Sequence, residues 1–404
     1  MVDLFEKDKK VEGLPLILGY LGLITMFIGF ICLVPLLTLI FYPEEVSQAK
    51  YFILPGVISI LIGYFFYFFI RGKKIGKLQK NQDSIIILFT WAIAIFICAV
   101  PFVLTGGYNF HQAIFETTSG FSTTGLSVVD VTNCPRIFLI HRSTMLFVGG
   151  IGLVLIMTSA MSDSHGMRLY NAEGHSDKLV PNLMTSARFI VLIYSGYILA
   201  GIILYVAFGM SLFDAINHSI ASVSTGGFST KAQSIGYYQS LPIEIITIVL
   251  MILGTTNFFV HLLLLRGQFK KYLLHCETKL LIFILAFVTP LLGSLFFIKF
   301  DIPWSESIRK SLFQIVSAFS TTGFQTVEDF NHFSSSMLFI MTLLMLIGGG
   351  AGSTAGGIKQ YRICLLLKSL IWSIKDQILN KNFIRANTIN TVSYTHLTLP
   401  TIRL

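Results

Sequence analysis

Charged residues are scarce in this chain of 404 residues: Asp, Glu, Lys and Arg together make up only 12% of it. Hydrophobic residues make up 54%, and the mean hydropathy is +0.75. So few charges cannot cover the surface of a soluble domain, and this composition predicts an integral membrane protein. Because an open sheet leaves unpaired backbone groups in lipid, the predicted fold class is all-α.

The chain also lacks any clustering of its cysteines. It has 5 of them, at Cys32, Cys98, Cys134, Cys276 and Cys364, and no two form a Cys-x-x-Cys pair. This spacing supports neither a disulfide framework nor a zinc site, and no bound cofactor is predicted. Polar residues within the apolar stretches, such as Thr255 and His261, are isolated, which argues against an enzyme embedded in the membrane. The chain is therefore predicted not to be an enzyme.

Eight apolar stretches are long enough to cross a bilayer as helices. They cover 14–41, 51–70, 84–105, 136–160, 187–210, 242–265, 280–299 and 336–372. Twenty-one Lys and Arg residues fall on the same side as the N-terminus, and seven fall on the opposite side. Because basic residues concentrate in cytoplasmic loops, the N-terminus is predicted to be cytoplasmic. The net charge of +9 then reflects topology, and no nucleic-acid partner is predicted.

One short phrase, rich in hydroxyl groups and glycine, occurs three times between the apolar stretches. We name its three copies the first, second and third filter segments: Ser122-Thr123-Thr124-Gly125, Ser224-Thr225-Gly226-Gly227 and Ser320-Thr321-Thr322-Gly323. An amphipathic segment too short to cross the bilayer precedes each copy, at 110–118, 211–223 and 305–318. A glycine-bearing apolar stretch follows each copy. The pattern predicts tandem repeats of helix, pore helix, filter loop and helix.

A repeat of this kind can select ions with its backbone. The pore helix directs the partly negative end of its dipole toward the loop, which favours cations. Glycine permits the positive φ that turns carbonyls toward an ion. Small residues also mark close helix contacts, but three copies at the same position favour a filter over packing. Because no charged side chain lies within the segments, a cation is predicted to bind the neutral backbone carbonyls of Thr123, Thr124, Thr225, Gly226, Thr321 and Thr322.

A glycine-rich run interrupts the apolar stretch that follows the third filter segment. It reads Gly348-Gly349-Gly350-Ala351-Gly352-Ser353-Thr354-Ala355-Gly356-Gly357. Glycine costs about 1 kcal/mol relative to alanine inside a helix, so six glycines in ten residues are expected to break the helix. We predict a flexible gating loop beneath the filter, with a helix-packing patch as the alternative. A phosphate-binding P-loop is excluded because Ile358 follows Gly357 where that motif requires lysine.

These phrases resemble the Trk/Ktr/HKT superfamily of potassium transporters, and most of all its bacterial TrkH type. The resemblance rests on FETTSGFSTTGLSV, SVSTGGFSTKAQS, SAFSTTGFQT and GGGAGSTAGGIK, and it extends over about 10–390. It implies M-P-M repeats (membrane helix, pore helix, membrane helix) around one pore, and uptake of K⁺ across the bacterial inner (cytoplasmic) membrane. It also implies that the chain lies in the lipid bilayer as a homodimer with a cytosolic nucleotide-binding regulatory subunit of the TrkA or KtrA type.

The resemblance also implies a division of the chain into segments. These are a two-helix extension at 1–83, M-P-M repeats at 84–183, 184–276 and 277–385, and a tail at 386–404. The family has a fourth repeat, for which the residues after Arg385 are too few, so three of four repeats are expected. Residues 392–404 differ in composition from what precedes them and are interpreted as non-native sequence. A non-conducting fragment is one alternative for this chain.

Two further alternatives concern the transported ion and the transport mechanism. Transport of Na⁺, or of K⁺ and Na⁺ together, would fit the same superfamily. Glycine in all three filter segments favours K⁺, because the resemblance associates Na⁺-preferring members with serine in the first segment. A secondary carrier with broken helices is the more distant alternative, since such carriers have two related halves and this chain has a threefold repeat.

Three polar residues occupy equivalent places in the predicted pore helices. Glu116, His218 and Gln314 each stand nine residues before the glycine that ends a filter segment. Two roles are open to them, which are direct contact with an ion and hydrogen bonding that anchors the pore helix. Their distance from the filter glycine favours anchoring.

Overall fold

The computed structural model describes residues 10–74, 76, 81–152, 183–327 and 330–378. Within these ranges the chain forms α-helices and short 3₁₀ helices joined by turns, so the all-α prediction is confirmed. The tail predicted at 386–404, with its unusual stretch at 392–404, lies outside the described residues. The chain divides into two compact units, residues 1–193 and 194–404, and each is described by itself.

The first unit begins with a closely packed helical pair. The helices described from this part of the chain are α1 (Leu14–Leu33), α2 (Ala49–Tyr67), α3 (Gln82–Leu104), α4 (Phe110–Phe121) and α5 (Arg136–Ile151). A Cβ built on Gly22 or on Gly29 of α1 would lie 2.7 or 2.8 Å from the carbonyl oxygen of Gly63 or Gly56 of α2. Glycines spaced seven residues apart on both helices thus allow the two backbones to touch, as in membrane helix pairs with small interfacial residues.

An aromatic core holds α2, α3 and α5 together. Phe138 on α5 packs between Phe52 and Phe102, with ring centroids 4.9 and 5.3 Å away. His141, one turn further along α5, is buried beside the same rings and hydrogen-bonds the carbonyl oxygen of Cys98 at 3.0 Å. This core fixes α5, the helix that returns from the first filter segment, against the N-terminal pair.

The remaining helices run from the end of the first unit through the second unit. They are α6 (Leu183–Ala207), α7 (Leu212–Val223), α8 (Leu241–Thr255), α9 (Phe258–Leu265), α10 (Phe269–Leu274), α11 (Cys276–Phe300), α12 (Trp304–Phe319), α13 (Ser335–Ile347) and α14 (Gln360–Ile378). The helices α11, α12 and α13 share an apolar core that includes Leu292, Ile315 and Met337, all fully buried.

Five helical segments of the described chain are long and apolar enough to cross a membrane. They are Leu14–Ile40, Pro43–Tyr67, Gln82–Leu104, Ala187–Ala207 and Cys276–Phe300. The stretch predicted at 242–265 is not one continuous helix, because α8 ends at Thr255 and α9 begins at Phe258. The stretch at 336–372 is interrupted between α13 and α14, as the glycine-rich run predicts. The stretch at 136–160 is helical to Ile151 and then enters residues that the structure does not describe.

Candidate functional site

A short helix precedes each filter segment. The helices α4, α7 and α12 contain 12, 12 and 16 residues, fewer than the roughly 20 that a crossing helix needs. Their beginnings are capped by local side chains in α4 and α7, where Asn109 forms a capping box with Gln112 and Ser211 accepts the amide of Asp214 at 3.1 Å. These helices match the predicted pore helices to within a few residues.

Each of these helices ends in the same hydrogen-bonded turn. In the first filter segment the amide of Thr124 donates to the carbonyl of Ser119 (2.9 Å), and that of Thr123 to the carbonyl of Gly120 (3.2 Å). In the second segment the amide of Gly226 donates to the carbonyl of Ala221, and that of Thr225 to the carbonyl of Ser222. In the third segment the amide of Thr322 donates to the carbonyl of Ser317, and that of Thr321 to the carbonyl of Ala318. This is the Schellman motif, which closes a helix with one left-handed residue.

The left-handed residue of each Schellman motif is a threonine. Thr123, Thr225 and Thr321 have φ values of 53, 53 and 57°. Glycine usually fills this place, and a β-branched residue with positive φ is an outlier. The sequence pattern predicts positive φ for the glycines and not for these threonines, although a Schellman motif places a left-handed residue just after the end of a helix.

The final glycine of each filter segment is left-handed as well. Gly125, Gly227 and Gly323 have φ values of 79, 69 and 86°. The three segments therefore share one backbone geometry, with positive φ at the second and the fourth residue.

The serine that opens each filter segment returns its hydroxyl to the pore helix. Ser122 donates to the carbonyl of Thr118 at 2.7 Å, Ser224 to that of Ala221 at 3.3 Å and Ser320 to that of Ser317 at 3.2 Å. In each case the acceptor is a carbonyl near the end of the helix that also accepts a backbone amide, from Ser122, Gly226 or Thr322. These serine hydroxyls therefore add a second hydrogen bond to carbonyls that the backbone already pairs, and they tie the filter segment to its pore helix.

The second and third filter segments lie against each other. A Cβ on Gly227 would overlap the carbonyl oxygen of Thr322, so a glycine is required there both for its φ and for space. Beyond the two segments, the amide of Gly236 donates to the carbonyl of Gln325 at 3.0 Å. These contacts bring together two of the segments that the sequence singled out.

Glu116 anchors the first filter segment from its pore helix. The carboxylate is fully buried and accepts from the Ser127 hydroxyl (2.9 Å) and the Val128 amide (3.0 Å), just after the segment. It also pairs with Arg142 of α5, whose Nε lies 2.7 Å from Oε1. Arg142 belongs to the basic residues that the sequence analysis assigned to the side opposite the N-terminus, but it is buried and pairs with a pore helix.

His218 plays the equivalent part in the second repeat. Its Nδ1 lies 2.8 Å from the carbonyl oxygen of Asp214 and must carry the hydrogen, so the hydroxyl of Ser229 donates to Nε2 over 2.9 Å. Gln314 of the third repeat is equally buried, but its Nε2 has no hydrogen-bond partner among the described residues. Anchoring is thus the observed arrangement for Glu116 and His218, whereas Nε2 of Gln314 makes no such bond within the described part of the chain.

Glycines on two returning helices contact the ends of the pore helices. A Cβ on Gly149 of α5 would overlap the carbonyl oxygen of Phe121, the last residue of α4. A Cβ on Gly254 of α8 would lie 2.5 Å from the carbonyl oxygen of Val223, the last residue of α7. The glycine-bearing stretches of the sequence pattern therefore serve close packing behind the first and second filter segments.

The run Gly348–Gly357 forms a closed loop between α13 and α14. The amide of Gly349 donates to the carbonyl of Gly356 at 3.1 Å, and the amide of Gln360 donates back to the carbonyl of Gly349 at 2.9 Å. Gly348 has a φ of 68°, and a Cβ there would overlap the carbonyl oxygen of Gly356. These bonds draw the two ends of the loop together, so that the chain leaves α13 and enters α14 at nearly the same place.

Two neighbouring helices hold the loop at its first half. The amide of Gly350 donates to the carbonyl of Thr255 at the end of α8, over 2.9 Å. The amide of Ala351 donates to Oε1 of Glu277 at 2.8 Å, and this buried carboxylate stands in the first turn of α11. In this structure the loop is therefore fastened to two neighbouring helices, although its composition predicts flexibility.

The second half of the loop contacts the filter segments. The hydroxyl of Thr354 lies 2.9 Å from the carbonyl oxygen of Val223. The same hydroxyl lies 3.2 Å from the hydroxyl of Thr225. The amide of Gly356 donates to the hydroxyl of Thr321 at 2.8 Å. The loop thus lies directly against the second and third filter segments.

Comparisons with known proteins agree on one family. The family described as "TrkH: Cation transport protein" matches residues 48–396. An uncharacterized cation transporter of Methanocaldococcus jannaschii is 33% identical over 93% of this chain and 75% of its own length. The Trk system potassium uptake protein TrkH of Escherichia coli (strain K12) is 30% identical, over 86% of this chain and 73% of its own length.

A solved structure shares the fold. The crystal structure of the potassium transporter TrkH from Vibrio parahaemolyticus superimposes with a TM-score of 0.81 at 24% sequence identity. The match covers 93% of this chain and 79% of that chain. The fold of this chain is therefore one already known from an experimental structure.

Proposed function

Because the chain belongs to the TrkH family of cation transport proteins, we propose that it takes up K⁺ across a cell membrane through its filter segments. The family is one of transporters and not a class of enzymes. The observation that supports the proposal is the recurrence of one backbone geometry, with a Schellman turn and two left-handed residues, at three equivalent places. Relatives that carry the name of potassium uptake proteins support the choice of ion.

Selection would act through the exposed backbone. An ion that enters a filter loses water, and carbonyl dipoles replace it; for this chain we assign them to Thr123, Thr124, Thr225, Gly226, Thr321 and Thr322. The helix ends that precede the segments contribute further negative potential. The Schellman hydrogen bonds hold each segment in place before the ion arrives, so little ordering is needed on binding.

The loop Gly348–Gly357 is the proposed gate. It contacts the second and third filter segments through Thr354 and Gly356, so an ion that leaves these segments on that side meets the loop. Breaking its few hydrogen bonds would free a glycine-rich segment whose backbone can adopt many other conformations.

The membrane location, the orientation and the partners of the chain are inferred from its family and from the distribution of its basic residues. We place the chain in the bacterial cytoplasmic membrane with the N-terminus inside, because basic residues concentrate on that side. We further propose that it forms a homodimer and is regulated by a cytosolic nucleotide-binding subunit of the TrkA or KtrA type. The names of the relatives, which place them in a Trk system, support a regulated assembly.

Ion binding can be tested on the purified chain in detergent. A ligand at one hundred times its Kd stabilises a folded protein by about 2.7 kcal/mol, so KCl is expected to raise the unfolding temperature above that in choline chloride. NaCl at the same concentration should raise it less. An equal effect of the two salts would favour the alternative of Na⁺ or mixed transport, and no effect of either would contradict an ion-binding filter.

The first filter segment allows a sharper test of selectivity. Gly125→Ser introduces a side chain where φ is 79°, which strains the backbone that offers the carbonyls. We expect the difference between KCl and NaCl in the unfolding temperature to shrink. Gly106→Ser is the matched control, because Gly106 also has a positive φ, of 72°, but lies outside the filter segments. An unchanged difference between the salts in Gly125→Ser would contradict the role of this segment.

A further inference from the structure

One hydroxyl group joins the gating loop to the second filter segment. Oγ1 of Thr354 lies 2.9 Å from the carbonyl oxygen of Val223 and 2.9 Å from that of Gly254, and the hydroxyl of Thr225 lies 3.2 Å away. A threonine hydroxyl has one proton to donate and can also accept. Thr354 can therefore donate to a carbonyl at the end of α7 or of α8 and accept from Thr225, whose single hydroxyl proton is shared between Thr354 and the carbonyl of Ser224 at 2.7 Å.

The filter residues that contact the loop are residues with a disfavoured, left-handed backbone conformation. Thr225 has a φ of 53°, and its carbonyl is one of those assigned to K⁺. The third filter segment is contacted in a related way, since Thr321, with a φ of 57°, accepts the amide of Gly356 at 2.8 Å. A disfavoured φ persists only where surrounding contacts enforce it, and here some of those contacts come from the loop.

We propose that Thr354 is a positioning residue that couples the loop to the filter, so that K⁺ in the filter and closure of the loop stabilise each other. The inference rests on the proposed function. An ion that binds the carbonyl of Thr225 favours the same backbone conformation that the Thr354 contact favours. Because coupling between two sites is reciprocal, K⁺ makes the loop harder to open, and a displaced loop lowers the affinity of the filter for K⁺.

Other hydrogen bonds of the loop do not involve the filter, so the effect of removing the Thr354 hydroxyl can be predicted separately from them. Gly350 and Ala351 bind α8 and Glu277, and neither contact involves a filter residue. These bonds would hold the loop whether or not an ion is present. Loss of the Thr354 hydroxyl should therefore weaken the dependence of the loop on K⁺, while these bonds and the contact of Gly356 with Thr321 stay in place.

Hydrogen exchange of the loop amides measures this coupling on the full chain in detergent. In the unchanged protein, KCl should slow exchange at residues 350–357 relative to choline chloride. In Thr354→Val, a change of similar shape without the hydroxyl, the slowing by KCl should fall about fivefold, the effect of losing one hydrogen bond. Thr354→Ser keeps the hydroxyl and should preserve the slowing.

The matched control is Thr342→Val on α13. The Thr342 hydroxyl donates to the carbonyl of Leu338 in its own helix at 2.8 Å, so this variant loses a hydroxyl without touching the filter. It should behave as the unchanged protein does. If Thr354→Val destabilises the fold, Thr354→Ala supplies a smaller side chain that also lacks the hydroxyl.

The outcomes separate this inference from the proposed function. If KCl does not raise the unfolding temperature of the unchanged protein, the proposed function fails. If KCl raises that temperature and slows loop exchange equally in the unchanged protein, Thr354→Val and Thr354→Ala, the filter binds K⁺ but Thr354 does not couple it to the loop. That second result overturns the inference alone.

Discussion

Thr123, Thr225 and Thr321 hold a left-handed backbone that their β-branched side chains disfavour. Such conformations cost about 1–3 kcal/mol each and persist where surrounding contacts enforce them. Here the contacts are the Schellman hydrogen bonds of the pore helices and, for two of the three, bonds to the gating loop. In each filter segment, therefore, the threonine has a backbone conformation that it would rarely adopt without these contacts.

Gly227 and Gly323 offer a matched pair for testing how tightly the filter is packed. Both have positive φ, but a Cβ on Gly227 overlaps Thr322, whereas a Cβ on Gly323 meets nothing within 4 Å. Gly323→Ala should cost about 1–2 kcal/mol for its φ alone. Gly227→Ala should cost about 1–3 kcal/mol more because it also overpacks. Thermal unfolding in detergent measures both, and equal losses would contradict the close contact between the two segments.

The Glu116–Arg142 pair supplies a second residue-scale prediction. Both side chains are almost wholly buried, with exposed fractions of 1% and 3%. Glu116→Gln removes the carboxylate that pairs with Arg142, and breaking such a buried pair costs about 3–5 kcal/mol. Glu306→Gln is the control, because its pair with Lys310 is partly exposed and should contribute at most about 0.5 kcal/mol. Similar unfolding temperatures for the two variants would show that the buried pair does not anchor the filter.

At the scale of elements, the sequence predicts the pore helices well and one break poorly. The pore helices follow from amphipathic segments of limited length, and the loop Gly348–Gly357 follows from its glycines. The break between α8 and α9 has no glycine or proline run to mark it. The carbonyls of Gly254 and Thr255 instead bond Thr354 and Gly350 about one hundred residues away. A helix end fixed by such distant partners leaves little signal in the local sequence.

Glu277 tests whether the loop is a gate. Its carboxylate accepts the amide of Ala351, so Glu277→Ala should release the first half of the loop. If the loop obstructs the pathway, Rb⁺ flux into proteoliposomes should rise severalfold. Glu277→Gln keeps an oxygen that can accept the same amide and should raise flux less. A flux that stays constant or falls in Glu277→Ala would instead support a packing role for the glycine-rich run.

At the scale of the whole molecule, hydropathy and charge decide the environment and the orientation. The apolar helices place the protein in a membrane, while the side that faces the cytoplasm is inferred from the distribution of Lys and Arg. Arg142 shows the limit of that count. It is a buried partner of Glu116 and not a loop cation, which the sequence alone does not reveal.

Orientation can be measured directly in sealed inside-out membrane vesicles. An epitope added before Lys10 should be accessible to antibody there, because the N-terminus is predicted to face the cytoplasm. An epitope inserted at the exposed Asp130 is the control and should be protected, since it follows the first filter segment on the opposite side. The reverse pattern would overturn the assigned topology.

The glycine contacts between α1 and α2 bear on how the protein is made. Both helices come from the first 67 residues, and their backbones meet through Gly22, Gly29, Gly56 and Gly63 without help from later helices. Chains are synthesised from the N-terminus, so this hairpin can assemble in the bilayer while the repeats are still on the ribosome. The assembled pair of α1 and α2 would then be the surface against which α3 and α5 of the first repeat pack during biogenesis.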